Sequence, residues 1–325
     1  MKITKGMVRS WSRLGQRATF FAMAMPEIAA EKEDVYVLTA DLAQLSNLNK
    51  FASLYPDRFI NVGIAEQNMV GIASGLAMEE NCVFATTYSS FIAVRSLESV
   101  RQHISHLRLN VKLIGTAAGV AAARSGVAHW ATEDVAFMRS LPGMRVICPS
   151  DSNQAYQAAH YAASTAQPMY IRLSGTPDCP IIYDENYVFD PDRISILREG
   201  SDAALLASGL VVHEAVEAAK MLEGKGISCT VADVHTIKPL DTVTLGRLMS
   251  SHRLIATAEE HNIIGGLGSA VAEFKAGLSG SPRQIFIGMN DSFDVTAGSQ
   301  RYIWEQFGIT AEKIAERIEK EFDKR

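Results

Sequence analysis

Glu66 poses the first chemical question in this chain. It stands in NVGIAEQNMVGIASGLA, residues 61 to 77, with Val62 and Ile64 before it and Met69, Val70 and Ile72 after it. A carboxyl group entering a helix N-terminus is stabilised by the helix dipole, and that alone would account for it. The other reading is a carboxyl whose apolar surroundings favour the protonated form, able to donate a hydrogen bond to a ring nitrogen. Perturbed groups of that kind gather at active sites, although ion-pair networks perturb carboxyls too. The residues alone leave both readings open.

Three further segments carry chemistry-bearing side chains. TTYSSF (86–91) closes an apolar run with small polar residues and sets Tyr88 and Phe91 three apart. At the carboxyl end of a parallel strand that is a ligand-facing place; paired aromatics also serve as plain core filling. GTAAGVAAARSGVAHWATED (115–134) is long, rich in Gly and Ala, and carries Arg124 and His129. Ordered loops of that length are usually functional, and a histidine there is either a proton-transfer group or a satisfied structural one. EEHNIIGGLGSAVAE (259–273) groups Gly265, Gly266 and Gly268. It fails the GxGxxG dinucleotide pattern, because Val271 stands where the third glycine is required. Close backbone packing at a helix start explains it better. GxxxxGK[ST] and GxSxG are both absent.

The elements that must position these residues follow from hydrophobic pattern. Continuous apolar runs at 34–41, 58–63, 82–88, 110–115, 145–150 and 168–173 suit parallel strands buried on both faces. Helix-length segments at 66–79, 90–106 and 152–165 lie between them, the last opened by the cap sequence SDSNQ. Residues 174–198 hold turn chemistry and no helical period, and read as a linker. The alternation then restarts, with strands at 203–209, 228–234, 254–260 and 284–289 and helices near 211–224, 241–250 and 267–277. An amphipathic segment at 309–322 closes the chain, with Thr310 as its cap. The expected architecture is α/β: two doubly wound domains with mostly parallel sheets, over residues 1–180 and 195–325.

Composition excludes several classes. A formal net charge of −5 over 325 residues argues against a nucleic-acid-binding surface. No apolar run approaches the ~18 residues of a membrane span, and the basic N-terminus lacks a signal-peptide core. Cys82, Cys148, Cys179 and Cys229 are widely spaced, which predicts free thiols rather than a zinc site and suits a cytoplasmic setting.

Taken in order, TADLAQLSNL, RFINVGIAEQNMVGIASGLA, FATTYSSF, LNVKLIGTAAGV, AHWATEDVAFMRSLPGMRVICPSD, DVHTIKPLD and EEHNIIGGLGS resemble the C-terminal half of the transketolase family of thiamine-diphosphate enzymes. The resemblance runs from about 35 to 300 and implies a pyrimidine-binding (PYR) domain of the thiamine-diphosphate fold followed by a transketolase C-terminal domain. It implies that Glu66 hydrogen-bonds the aminopyrimidine ring nitrogen, that Phe91 stacks on that ring, that Tyr88 and Ile64 line its pocket, and that His129 works near the donor carbonyl. Under it, the apolar flanks of Glu66 would keep the carboxyl protonated, and Gly71 and Gly75 would let the helix pack closely on a partner.

The resemblance also implies what lies elsewhere. The family's GDG motif for diphosphate and Mg²⁺ is absent from this chain, so an N-terminal diphosphate-binding subunit is expected to supply it, in an α2β2 heterotetramer. The expected function is ketol transfer by a split transketolase. The layout is also similar to the β subunit of 2-oxo acid dehydrogenase E1 and to half of deoxyxylulose-phosphate synthase. A subunit with a lapsed site is a further reading, disfavoured by the presence of Glu66, Phe91 and His129. Three positions depart from the family pattern: Ala117 replaces a histidine, Ser125 an acidic residue and Gly175 an arginine. Part of the sugar-phosphate clamp is therefore missing. Arg124 or Arg172 is expected to replace it, which leaves phosphorylated and sulfonated sugars both open as substrates.

Overall fold

A computed structural model of the chain describes residues 2–293 and 297–322. Among these residues twelve strands form two sheets. The first contains β1 (Val35–Thr39), β2 (Phe59–Asn61), β3 (Cys82–Tyr88), β4 (Val111–Thr116), β5 (Arg145–Ile147) and β6 (Met169–Leu173). The second contains β7 (Ser195–Arg198), β8 (Ala203–Ala207) and β9 (Cys229–Asp233), and after the short β10 (Thr236–Lys238) come β11 (Leu254–Asn262) and β12 (Arg283–Met289). The seven-stranded order is β10-β5-β6-β4-β3-β1-β2 and the five-stranded order is β12-β11-β8-β9-β7. Pairing is parallel except where β10 meets β5 and β7 meets β9. The expected α/β class with mostly parallel sheets is what the chain forms.

The reason is visible in burial. β4, β6, β8 and β9 are buried along their whole length. Such strands need cover on both faces, and crossover helices supply it. The helix Glu66–Met78 buries Met69, Val70, Ala73 and Ala77, one stripe at helical spacing, against Leu38, Val83, Ala85 and Leu113. Each fully buried Leu, Val or Met contributes about 1.5–3 kcal/mol. The SDSNQ cap forms as expected: Asp151 Oδ1 accepts the Gln154 N–H at 2.8 Å and opens helix Ser152–Ala163. The four cysteines are free and buried.

Four features differ from the sequence reading. The N-terminal segment is a helical rod from Lys5 to Glu31, with a π turn at Thr19–Ala24. Its aromatic stripe sits in a core on the outer face of the first sheet, where Trp11 stacks on Tyr156 at 4.3 Å. Segment 90–106 is helical but irregular, with π turns at Phe91–Arg95 and Val100–Ser105. The linker 174–198 is stitched down. Asp151 Oδ2 accepts the N–H groups of Ile182 and Tyr183, and the segment ends in edge strand β7. Finally, β10 leaves the second half of the chain to join the first sheet beside β5. Three residues are too few for a hydrophobic period to announce them.

That crossing welds the halves together. Asp233, at the end of β9, is wholly buried, and its Oδ2 accepts hydrogen bonds from Ser150, Gln154 and Tyr183 at 2.7–3.0 Å.

Candidate active site

The carboxyl ends of β3, β4 and β6 lie side by side, with Tyr88 in register with Thr116 and Thr116 with Leu173. Beyond such ends a parallel sheet offers backbone groups and loops to a ligand. Tyr88, at the end of β3, starts the site. Phe91 follows one helical turn later, their ring centroids 5.7 Å apart. The loop after β4 folds into two short 3₁₀ turns and brings His129 to both: its ring lies 5.9 Å from Tyr88 and 5.6 Å from Phe91. His129 Nδ1 is buried and has no hydrogen-bond partner among the described residues. An orphaned buried ring nitrogen is costly unless something else completes it.

Glu66 joins the group through a residue the sequence reading did not single out. Arg95 donates from Nη1 to both Glu66 oxygens, at 2.8 and 2.9 Å, and its guanidinium lies 4.4 Å from the Phe91 ring centre. Glu66 is buried, with 3% of its side chain exposed, while Arg95 is 48% exposed. The surroundings are thus not only the apolar flanks expected from the sequence: the group facing Glu66 is the Arg95 guanidinium. The wide π turn at 91–95 sets Phe91 and Arg95 on the same side of the helix, and no hydrophobic period in the sequence signals a π turn. Ile64, expected beside the cofactor, is 77% exposed and lies within two residues of Glu66 on an open surface. Among the described residues, nothing outside the helix's own backbone comes within 4 Å of a Cβ placed on Gly71 or Gly75, so this helix face is open for close packing.

Next to Tyr88 lies a cleft of about 430 Å³, ample for a small ligand. Arg17, Ala117, Arg124, Ser125, Ser174 and Gln300 line it. Among the described residues no carboxylate stands within ion-pair distance of Arg17 or Arg124. Arg17 is a second residue that sequence reading missed. The helical rod kinks at Gly15 (φ 83°), where a Cβ would run into the Thr176 backbone, and the kink turns Arg17 toward the cleft. Burial lowers the Arg17 pKa by disfavouring its charge, which an incoming anion would relieve. Gln16, beside it, bonds Pro149 O and the Gly175 N–H, both at 2.7 Å. A side chain at 175 would drive its Cβ to 2.6 Å from Gln16 Cγ, so the family's arginine would require Gln16 to move.

Arg172 is not brought to the cleft. It is buried at 5% exposure, and its Nε binds the Asp134 carboxylate at 2.8 and 3.1 Å. Its Nη2 donates to Ala131 O and Glu260 O. The expectation that Arg172 contacts substrate is therefore corrected: it does not line the cleft, and its Nε and Nη2 donors are used internally. The Gly265–Gly268 stretch is close packing at a helix start, as expected. Glu259 accepts the N–H groups of Leu267 and Gly268, and a Cβ on Gly268 would meet Thr257 Oγ1 at 2.9 Å.

The donor set fits thiamine diphosphate. An aromatic face, a buried carboxyl group at a helix start and an unpaired imidazole nitrogen suit an aminopyrimidine with a reacting carbon beside it, and the half-exposed Arg95 that covers Phe91 and both Glu66 oxygens here must move aside to admit it. Among the described residues no three His, Cys, Asp or Glu side chains are placed to hold a metal.

Family models match both parts of the chain: the transketolase pyrimidine-binding domain over residues 16–176 and the transketolase C-terminal domain over 192–314. The chain belongs to the transketolase family. A Clostridium protein (strain MSTE9) named as a 6-deoxy-6-sulfo-D-fructose transketolase subunit is 38% identical, covering 88% of each chain. An Actinobacillus succinogenes protein named as one subunit of an apulose-4-phosphate transketolase is 35% identical over 87% of this chain and 91% of its own. A solved structure described as a split-gene transketolase, an inactive beta4 tetramer, superposes with a TM-score of 0.86 at 37% identity, covering 94% of this chain and 98% of that one.

Proposed function

We propose that this chain is the C-terminal subunit of a two-subunit, thiamine-diphosphate-dependent transketolase that moves a two-carbon ketol unit from an anionic ketose to an aldehyde. The carrying observation is that Glu66, Tyr88, Phe91 and His129 meet in one place beside a cleft lined by two arginines with no carboxylate partner among the described residues. The relatives' names support a split enzyme.

Bound thiamine diphosphate would supply the electron sink for the two-carbon fragment. The chain's own residues do the rest. Once Arg95 swings off its two oxygens and off Phe91, Glu66 would take the pyrimidine ring nitrogen through its carboxyl group, and Phe91 would offer the stacking face. Tyr88 closes the pocket between cofactor and cleft, and Ile64 gives it an apolar rim. His129 moves a proton at the donor carbonyl or hydroxyl with its unpaired Nδ1. Arg17 and Arg124 bind the anionic end of the sugar, phosphate or sulfonate, and Ser125 hydrogen-bonds a hydroxyl. Residues 1–180 form the pyrimidine-binding unit and 195–325 the C-terminal unit. The partner subunit holds the diphosphate and Mg²⁺, in an α2β2 assembly. No helix among the described residues is long and apolar enough to cross a membrane, and the reading includes a cytoplasmic enzyme.

The test is co-expression with the N-terminal subunit and assay against phosphorylated, sulfonated and branched ketoses with several aldehydes. Glu66→Ala and Glu66→Gln should abolish transfer, a loss on the order of 10²-fold or more, while assembly persists. The chain alone should be inactive and bind the cofactor weakly. Near-normal transfer in either Glu66 variant, or full activity without a partner, refutes the reading. Oxidative decarboxylation of 2-oxo acids in its place moves the chain to the E1β class.

A further inference from the structure

Glu260 stands at the carboxyl end of β11, in the second sheet, yet its side chain serves the cleft built on the first. It is 2% exposed. Its Oε1 accepts three hydrogen bonds: from the Val120 N–H at 3.0 Å, Gln300 Nε2 at 2.8 Å and Trp304 Nε1 at 2.9 Å. Val120 belongs to the loop after β4, whose neighbours Ala117, Ala121 and Ala122 line the cleft, and Gln300 lines it from the other side. Gly119 has φ 61°, and a Cβ there would fall inside the Glu260 carboxyl group, so the loop is pressed onto it. The carbonyl of Glu260 is also held, by Arg172 Nη2 at 2.8 Å.

We propose that Glu260 is the positioning residue of the substrate cleft, fixing the 117–125 wall and the Gln300 wall to one carboxylate so that they come to the sugar as a single rigid unit. This rests on the cleft being the sugar site. Burying a carboxylate is expensive, and here burial raises its pKa. A carboxylate kept in such a place, bonded by one oxygen to both walls of a cleft, is explained by what it holds. An apolar residue of similar volume would fill the space and hold neither wall. Its second oxygen has no partner among the described residues, so all three hydrogen bonds converge on Oε1 and break together when it is removed.

The contact lies at the sugar end and touches none of Glu66, Phe91 or Arg95. Substrate affinity and cofactor affinity should therefore separate. The experiment uses the chain with its N-terminal subunit, comparing Glu260→Ala and Glu260→Gln with the parent. Glu260→Ala should raise the donor KM at least tenfold, change kcat less than threefold and leave the thiamine diphosphate Kd within twofold. Glu260→Gln keeps an oxygen for the three donors and should recover most of the KM. Hydrogen exchange in residues 117–125 should quicken at least tenfold in Glu260→Ala and much less in Glu260→Gln. Unchanged KM and unchanged exchange in Glu260→Ala overturn the proposal. So does a KM rise matched by an equal loss of cofactor affinity, the mark of general damage. If the parent complex transfers no ketol unit, the function proposed above fails, and the exchange measurement still decides whether Glu260 holds the wall.

Discussion

Asp134→Asn isolates the strongest electrostatic commitment in the first domain. The Asp134 side chain is wholly buried and Arg172 is 5% exposed. Asp134 accepts from Arg172 Nε through both oxygens and from the Tyr170 hydroxyl at 2.6 Å. Removing one member of a buried pair costs about 3–5 kcal/mol, because the other charge stays buried. The lower end applies here. The Glu260 carboxylate also attracts this guanidinium, and asparagine keeps one acceptor. A loss of about 3 kcal/mol corresponds to a fall in Tm of roughly 6–12 °C for a domain of this size. Thermal unfolding followed by circular dichroism measures it. The companion variant Arg172→Met should be comparably destabilised. The double variant Asp134→Leu with Arg172→Met should lose at least about 1 kcal/mol less than the Asp134→Leu and Arg172→Met single losses combined, since no charge is left stranded. A Tm within about 2 °C of the parent, with a raised donor KM, would refute this reasoning and return Arg172 to the substrate.

Arg17→Gln and Arg124→Gln should each raise the donor KM about tenfold or more, as the loss of a charged hydrogen bond of ~1.5–3 kcal/mol requires. Steady-state kinetics of the partnered enzyme checks this, and a neutral ketose handled equally well by parent and variants would remove the anion from the reading. The buried seam predicts an unusual response to acid. Burial pushes the carboxyls of Asp151 and Asp233 up to about 6, above the usual 3.8. Between those values the folded chain binds more protons than the unfolded one, so these groups add stability as pH falls through 6, on the order of 2–3 kcal/mol for each, and add nothing further below about 4. Glu214 and Asp241 are shifted down and lose their contribution at lower pH. Parent Tm relative to Asp233→Asn should therefore climb by several degrees from about pH 7.5 to about pH 5; a flat difference would show that Asp233 stays a carboxylate across that range and would refute the raised value.

What the sequence disclosed and what it withheld divide along a physical line. The strands with continuous apolar runs were legible, because burial on both faces leaves no other pattern for β3, β4, β6, β8 and β11 to carry. Tyr88, Phe91 and His129 were legible as candidates from their places at strand ends, and the structure brings their rings to centroid distances of 5.6–5.9 Å. Glu66 was legible as a position but not in its partner, since Arg95 lies 29 residues on and reaches it only through a π turn. Long-range partners leave no local trace. Arg17 and Arg172 make the same point in opposite directions. Both are arginines near small residues, and only the fold decides that one opens on the cleft while the other is consumed by Asp134.

The site also explains why its substrate end resists reading from motifs. Gly175 cannot become the family arginine without displacing Gln16, which ties the helical rod to Pro149 and to the strand end at 175. The same tie places Arg17, the next residue, at the cleft wall. Loss of a cation at 175 and presence of one at 17 are thus consequences of one local packing choice. Under the proposed function, specificity for the sugar would be set by the distance and angle between Arg17 on the rod, Arg124 on the loop and Gln300 at the start of helix Gln300–Phe307. These three come from separate parts of the chain, and two of the walls are tied by the single oxygen of Glu260. A motif records residue types along one stretch. On the proposed function, selectivity resides in how three stretches are held against each other, so exchanging loop 117–125 alone for a relative's sequence should fail to transfer that relative's sugar preference unless Glu260 and Gln300 still meet it.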